Sequence, residues 1–465
     1  MSDTADTSNS AGADFDLIIV GAGSGNTILS AEHGHLRVAI VEKDLFGGTC
    51  LNRGCVPTKM FVYAADIANA ITHAGAYGID ATIDKVRWPD IVDRIFNRID
   101  PIPPNGKAYR EASPDTTVFT GEARFVAPRT LELNGQRISA ENIVVATGSR
   151  AFIPDVEGLD TVDYHTSDTI MRLPSLPDRL IIFGGGYIST EMAHVFGSFG
   201  TKVDIVTRGP RLLSTEDMSI SDRFTALYEQ RFRCHLQSRV DHVRQERGEI
   251  IVSIHRDGKS YEVVGDTLLV ATGRIPNTEA LDLHTAGIDV DPRGYIVADD
   301  YLRTTDPNVW ALGDVSNDNQ LKHVANAEAR AVAHNILHPE SLRTADLWPI
   351  PHAVFAHPQV AAVGQTEQEP RHSGRRHVVA VQDYGEVAYG WAMEDTQHFC
   401  KLIADPDTHL LLGAHIIGPY ASMLIQQLIQ GMKFGQTVEE MARGQLYIHP
   451  TLNEVVENAL LKFIS

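Results

Sequence analysis

Cys50 and Cys55 lie in the run Gly47-Gly-Thr49-Cys50-Leu-Asn-Arg-Gly54-Cys55-Val-Pro57-Thr-Lys59, and they are two of only four cysteines in 465 residues. Five steps along a regular α-helix advance about 7.5 Å, beyond the ~6.8 Å limit for bridged Cα atoms. A bridge between them therefore needs a bent or irregular helix start, which Gly54 permits by backbone freedom and Pro57 by its missing donor. A bridge of this kind opens and closes. The alternatives are two unpaired thiols or half a zinc site. Zinc would want a second Cys/His cluster at ligand spacing, and Cys234 and Cys400 stand alone. The redox reading is favoured, and no metal is expected.

Disulfide exchange also needs a proton donor for the departing thiol and a base to activate the attacking one. Histidine suits both roles at neutral pH. Among 20 histidines, His449 in His449-Pro450-Thr-Leu-Asn-Glu454 stands apart. Pro450 biases it toward an extended conformation, and Glu454 can fix its tautomer.

Two glycine turns must position this chemistry. Asp16-Leu-Ile-Ile-Val20 reads as a buried parallel strand running into Gly21-Ala-Gly23-Ser-Gly25-Asn26, and Arg37-Val-Ala-Ile-Val41 ends on Glu42. That is the context of a dinucleotide fingerprint: a tight turn, a pyrophosphate at a helix N-terminus and an acid on the ribose. Asn26 holds the third glycine position, so helix and strand are expected to sit slightly further apart. The pattern recurs in Arg179-Leu-Ile-Ile-Phe183 and Gly184-Gly-Gly186-Tyr187-Ile188-Ser189, with Lys202-Val-Asp-Ile-Val206 ending on Thr207-Arg208. No acid stands there to repel a ribose phosphate, and Arg208, with Arg211 nearby, offers it a charged fork. Asp204 lies inside the strand, three residues early. The second site is expected to prefer NADP(H).

Each unit closes on a similar phrase, Ile143-Val-Val-Ala-Thr147-Gly148 and Leu268-Leu-Val-Ala-Thr272-Gly273, and Val309-Trp-Ala-Leu-Gly313-Asp314 supplies a late strand with a terminal acid. The first site is thus interrupted by the second and resumes afterwards. The fold class is α/β, with two Rossmann-like dinucleotide-binding domains and a C-terminal α+β module for association. Residues 15–152 with 274–340 form the first domain, 153–273 the second and 345–465 the third. In the last, alternating strand patterns (Val378–Val381 and Leu411–Ile417) precede an amphipathic helix, Ser422–Met432.

Composition sets the outer limits. Hydrophobic residues make up 43% and charged ones 22%, as in soluble globular proteins. Residues 1–14 carry no basic residue and no apolar core, and read as a disordered leader rather than a signal peptide. Few cysteines in a long chain suit a reducing cytoplasm, where a disulfide is catalytic. The net charge of −20 argues against nucleic acid or an anionic membrane as partner.

Two nucleotide folds, the Cys-x₄-Cys run between them and the late Gly-Asp phrase together resemble the flavin-dependent pyridine-nucleotide disulfide oxidoreductases, which include glutathione reductase and dihydrolipoamide dehydrogenase. The resemblance implies FAD at the first fold, on Gly21, Gly23, Gly25, Asn26, Glu42, Thr49, Lys59, Thr147, Gly148 and Asp314. It implies NADPH at the second, on Gly184, Gly186, Tyr187, Ile188, Thr207, Arg208, Arg211 and Gly273, and it implies a homodimer. By the family pattern Cys55 faces the flavin and Cys50 attacks the substrate disulfide. Lys59 sits by the flavin with Glu191 as its ion-pair partner, Tyr187 covers the nicotinamide pocket, and His449 with Glu454 reaches the cysteines of the other subunit. The stretches Thr58–Ala65, Asp163–Asp168, Lys322–Asn326, Tyr384–Asp395 and Arg443–Pro450 narrow the resemblance to the reductases of one low-molecular-weight thiol. At Ala31 and Ser30, near where glutathione reductase carries a substrate-binding arginine, there is no charge, which disfavours glutathione carboxylates.

The runner-up is an NAD-linked dihydrolipoamide dehydrogenase, which usually shows an acid where Thr207 stands. Mercuric and large thioredoxin reductases use extra C-terminal cysteines, absent from Leu461–Ser465. A flavoprotein that only binds partners through its C-terminal module would leave the cysteine pair and His449 as relics.

Overall fold

The computed structural model describes residues 13–464. Residues 1–12 of the expected leader lie outside the described residues. Its last two are tied down: Arg37 donates to the carbonyls of Ala13 and Asp14, and the Asp14 carboxylate accepts from Ser139 N and Oγ at 2.9 Å.

The chain divides into two compact units. One holds the chain up to Asn52 with Arg98–Arg150 and Arg274–Asp346; the other holds Arg53–Asn97, Ala151–Gly273 and the stretch from Leu347.

In the first unit five strands run parallel in the order Thr116–Thr120, Val38–Glu42, Phe15–Val20, Gln136–Val145, Val309–Ala311. Unbroken apolar runs suit strands covered on both faces, and Leu17, Ile18, Ile19, Ile40, Ile143 and Val144 are all fully buried. The register pairs Val20 with Val41 and with Val145, and Val145 with Ala311. The glycine turn, Glu42, Thr147-Gly148 and Gly313-Asp314 therefore emerge along one sheet edge, the carboxyl end where open parallel sheets bind ligands.

The expected helix after the first turn does not form. Between Val20 and Val38 the chain makes only two three-residue 3₁₀ turns, Gly25–Thr27 and Ala31–His33. Length is not the cause, because the corresponding stretch of the second unit is one residue longer and carries the helix Tyr187–Ser198. Local side chains compete for the backbone instead. Thr27 Oγ1 donates to Ser24 O, and the Ser30 N–H meets His33 Nδ1. Arg110 Nη2 donates to the Asn26 carbonyl at 2.8 Å, the acceptor a helix would offer to Ser30. With no helix there, the helix-to-strand spacing expected from Asn26 does not arise. Gly25 makes the close approach: a Cβ there would stand 2.7 Å from Ala146 Cβ.

In the second unit four parallel strands take the order Arg233–His235, Lys202–Val206, Arg179–Phe183, Thr267–Val270. The helix Cys55–His73 packs against Tyr187–Ser198. The last third is an antiparallel sheet in the order Pro351–Val354, Val360–Gly364, Leu411–Ile417, Phe399–Ala404, Val378–Asp383, followed by the helix Ala421–Lys433. Leu411–Ile417 does not alternate: all seven residues are buried, because this strand is central in the sheet. Among the described residues no helix is long and apolar enough to cross a membrane.

Candidate active site

The two cysteines stand in different helices. Cys50 is half-buried in the short helix Gly48–Asn52, and Cys55 is the exposed first residue of Cys55–His73. The break falls at Gly54, which is non-helical at φ −131° and ψ −121°. Asn52 fastens the first helix from within, its buried amide donating to Phe46 O at 2.9 Å and Gly48 O at 3.0 Å. Thr58 fastens the second, Oγ1 donating to Gly54 O at 2.7 Å. Pro57 falls in the first turn, where its missing N–H costs nothing. The irregular start read from Gly54 and Pro57 is thus present.

Four residues into the long helix, Lys59 Nζ meets Glu191 Oε1 at 2.8 Å and Oε2 at 2.9 Å. Glu191 is buried on Tyr187–Ser198, and its Oε1 also accepts the Phe355 N–H at 2.8 Å. The ammonium lies 4.6 Å from the Phe355 ring centroid. The buried carboxylate is thus both paired and hydrogen-bonded, as a charge taken out of water requires. Tyr187 opens the same helix and is exposed.

The first glycine turn is shaped for a ligand that approaches backbone closely. Gly21 has φ +106°, and a Cβ on it would strike Ala146 O at 2.4 Å. A Cβ on Gly48, beside Thr49, would stand 2.8 Å from Gly23 Cα, so the turn abuts the segment bearing Cys50. Glu42 takes the Ala22 N–H at 2.7 Å and the Asp44 N–H at 2.8 Å, which fixes its carboxylate at the strand end. Asp314 accepts from Ser149 Oγ at 2.7 Å; Arg274 donates to the same hydroxyl and to Ser149 O. Thr147 and Asn277 exchange two hydrogen bonds at 2.9 Å, beside Gly148. A cradle closed to any Cβ, with acids at two strand ends, fits a flavin dinucleotide.

The second turn repeats the device. Gly184 has φ +117°, and a Cβ there would meet Ala271 O at 2.2 Å. Gly186 and Ile188 lie at the start of the helix, and Gly273 accepts the Phe152 N–H at 2.9 Å. Thr207 Oγ1 stands where a Cβ on Gly185 would reach it at 3.0 Å. Arg208 is exposed, whereas Arg211 pairs with Asp222. Asp204 is taken by His235 at 2.7 Å, which accounts for an acid inside the strand without a ribose. A turn closed to a Cβ at Gly184, with Arg208 exposed after Thr207, fits a dinucleotide with a phosphorylated ribose.

His449 Nδ1 meets Glu454 Oε1 at 2.7 Å, and Glu454 Oε2 accepts the Thr451 N–H at 3.2 Å. The imidazole side chain is 73% exposed, against 17% for its carboxylate. An oriented, outward-facing histidine can serve another surface.

Several residues here escaped the sequence reading. Ser149, Arg274 and Asn277 flank motif phrases and could have been found by their adjacency. Glu328 left no local signal. It is buried on Lys322–Leu337 and accepts the Gly313 N–H at 2.6 Å and Asn317 Nδ2 at 2.8 Å. Burial, with Asp314 nearby, pushes its carboxyl up to about 7. Burial raises the Cys234 thiol to about 12 and raises that of Cys400 further, so neither is a thiolate.

Residues 15–331 match the family model for pyridine nucleotide-disulphide oxidoreductases, and residues 350–460 match the dimerisation domain of the same family. The chain is similar to mycothione reductase of Mycobacterium tuberculosis, at 48% identity over 96% of this chain and 99% of that one. It is 32% identical to dihydrolipoyl dehydrogenase of Mycoplasma pneumoniae, over 96% and 98%. The HOCl-induced flavoprotein disulfide reductase RclA of Escherichia coli superposes with a TM-score of 0.84 at 29% identity, over 96% and 99%.

Proposed function

We propose that this chain, which belongs to the pyridine nucleotide-disulphide oxidoreductase family, is a flavoprotein that reduces mycothione, the disulfide of mycothiol, with NADPH. One NADPH, one proton and one mycothione give NADP⁺ and two mycothiols. The observation that carries the substrate assignment is the end-to-end identity of 48% with a mycothione reductase, in line with the five narrower stretches in the sequence. The first fold would hold FAD, which would supply the two-electron carrier between the nicotinamide and the cysteines.

The residues of the chain then divide the work. Gly21, Gly23, Gly25 and Asn26 take the FAD pyrophosphate, Glu42 and Asp314 its hydroxyls, and Thr49, Thr147 and Gly148 line its bed. Gly184, Gly186, Ile188 and Gly273 cradle NADPH, Arg208 follows Thr207 at the ribose phosphate with Arg211 nearby, and Tyr187 covers the nicotinamide pocket. Lys59, held by Glu191, presents a fixed positive charge beside the flavin. Cys55 lies at the positive end of a 19-residue helix, a position that favours a thiolate. Cys50 attacks one sulfur of mycothione, and the proton for the departing thiolate comes from His449 of the other subunit, oriented by Glu454. The Cys55 thiolate then displaces the second mycothiol and restores the disulfide. The enzyme works as a homodimer in the reducing cytoplasm, binds no nucleic acid and needs no metal.

Parallel steady-state assays with mycothione, glutathione disulfide and lipoamide test this. Mycothione is expected to lead in kcat/KM by more than about tenfold, with NADPH preferred to NADH. Preference for lipoamide with the NAD couple would overturn it in favour of the dihydrolipoamide dehydrogenase reading.

A further inference from the structure

The first dinucleotide turn has lost the element that ordinarily balances a pyrophosphate. Aligned peptide dipoles of a full helix present roughly half a positive charge at its N-terminus, and three-residue 3₁₀ turns do not build such a dipole. In its place two side-chain cations from distant elements converge on the turn. Lys322, the first residue of the helix Lys322–Leu337, donates from Nζ to Ser24 Oγ at 2.9 Å. Arg110, near the end of the helix Ile102–Glu111, donates from Nε to Asn26 Oδ1 and from Nη2 to Asn26 O, both at 2.8 Å. Ser24 and Asn26 flank Gly25 inside the fingerprint. Both cations spend their hydrogen bonds on neutral atoms, and among the described residues neither pairs with a carboxylate. Arg110 is half-buried, and desolvation lowers its pKa. A desolvated cation without a counterion is costly unless an anion completes it. The second turn, which keeps its helix over Tyr187–Ser198, serves as a comparison within the same chain.

We infer that Lys322 binds the pyrophosphate of FAD directly, and that Arg110 positions the turn for it through Asn26, so that two full charges replace the missing helix terminus. An ammonium has three donors, and Ser24 uses one, leaving two for phosphate oxygens. A guanidinium fork closed on the side-chain and main-chain oxygens of one asparagine holds that residue in one orientation. This inference rests on the flavin reading above and extends it to residues that no fingerprint contains.

The test uses purified holoprotein with Lys322→Gln, Lys322→Arg and Arg110→Gln. Flavin release is followed by the rise in FAD fluorescence on dilution, and the bound pyrophosphate by phosphorus NMR. Lys322→Gln and Arg110→Gln are each expected to release FAD roughly tenfold faster, as one lost charge-assisted bond implies, and to displace the pyrophosphate resonances. Lys322→Arg should keep release close to wild type. Unchanged release and unchanged resonances in Lys322→Gln would overturn the inference while leaving the flavin reading intact. A wild-type protein purified without flavin would overturn both. Should Arg110→Gln yield no soluble protein, the two Lys322 variants decide.

Discussion

Glu191 receives the Lys59 ammonium on both carboxylate oxygens, at 2.8 and 2.9 Å, while its Oε1 also takes the Phe355 N–H. One buried acid thus ties the cysteine-bearing helix to the first helix of the second nucleotide fold and to the strand region after Val354. Glu191→Gln keeps an acceptor for Phe355 but removes the countercharge. Melting is expected to drop by a few degrees, the scale of about 1 kcal/mol in a chain this size, and reduction of the disulfide by NADPH is expected to slow. Differential scanning and anaerobic stopped flow check this; unchanged values in both would remove Glu191 from the relay.

His449→Gln should still let NADPH reduce the flavin and cysteines, because the role proposed for His449 begins only after that stage. Turnover of mycothione should fall by at least about a hundredfold, the scale of a lost acid–base group. Glu454→Ala should cost less, since it removes only the partner that orients the ring. Comparing the rapid NADPH half-reaction with steady-state turnover separates the two stages, and full turnover in His449→Gln would reject the assignment.

At the second fold, Arg208→Leu is expected to raise KM for NADPH by about tenfold or more, leaving kcat and the weak use of NADH nearly unaltered. Arg211 already pairs with Asp222, so Arg211→Leu should have the smaller effect. Equal loss with both coenzymes would mean that Arg208 does not contact the ribose phosphate.

Glu328 predicts a pH effect of definite sign. Its folded pKa lies above the ordinary glutamate value, at about 7, so the folded state holds the proton more tightly than the unfolded chain. The favourable contribution is present at acid pH and is lost as pH rises through 7. Glu328→Gln mimics the protonated form and escapes this loss. Its stability relative to wild type should therefore increase between about pH 5 and pH 8, by about 1–3 kcal/mol. Melts across that range check it, and a pH-independent difference would contradict it.

Much of this was legible from the chain alone, because the informative features were local. Leu17–Val20 and Leu180–Phe183 announced buried strands by unbroken apolar runs, and the glycines that follow each one marked a turn that any Cβ would obstruct. Cys50, Cys55, His449 and Glu454 could be singled out because spacing and chemistry coincide within a few residues. What escaped the reading depends on distant partners. The helix after Gly25 was expected from a motif, yet Asn26 is claimed by Arg110 from 84 positions away. Glu328 looks like any helix acid until the fold lays it under Gly313. The full burial of Leu411–Ile417 follows from its central place in the sheet, which its own residues do not state.

Catalysis as proposed requires electrons from NADPH to reach the Cys50–Cys55 pair. Protein alkylated under non-reducing conditions, before and after anaerobic addition of NADPH, can be digested and weighed by mass spectrometry. Both residues are expected to resist alkylation in the oxidised protein and both to be labelled after NADPH, with Cys234 and Cys400 unchanged between the two samples. Cys50 and Cys55 labelled equally in both samples would contradict it.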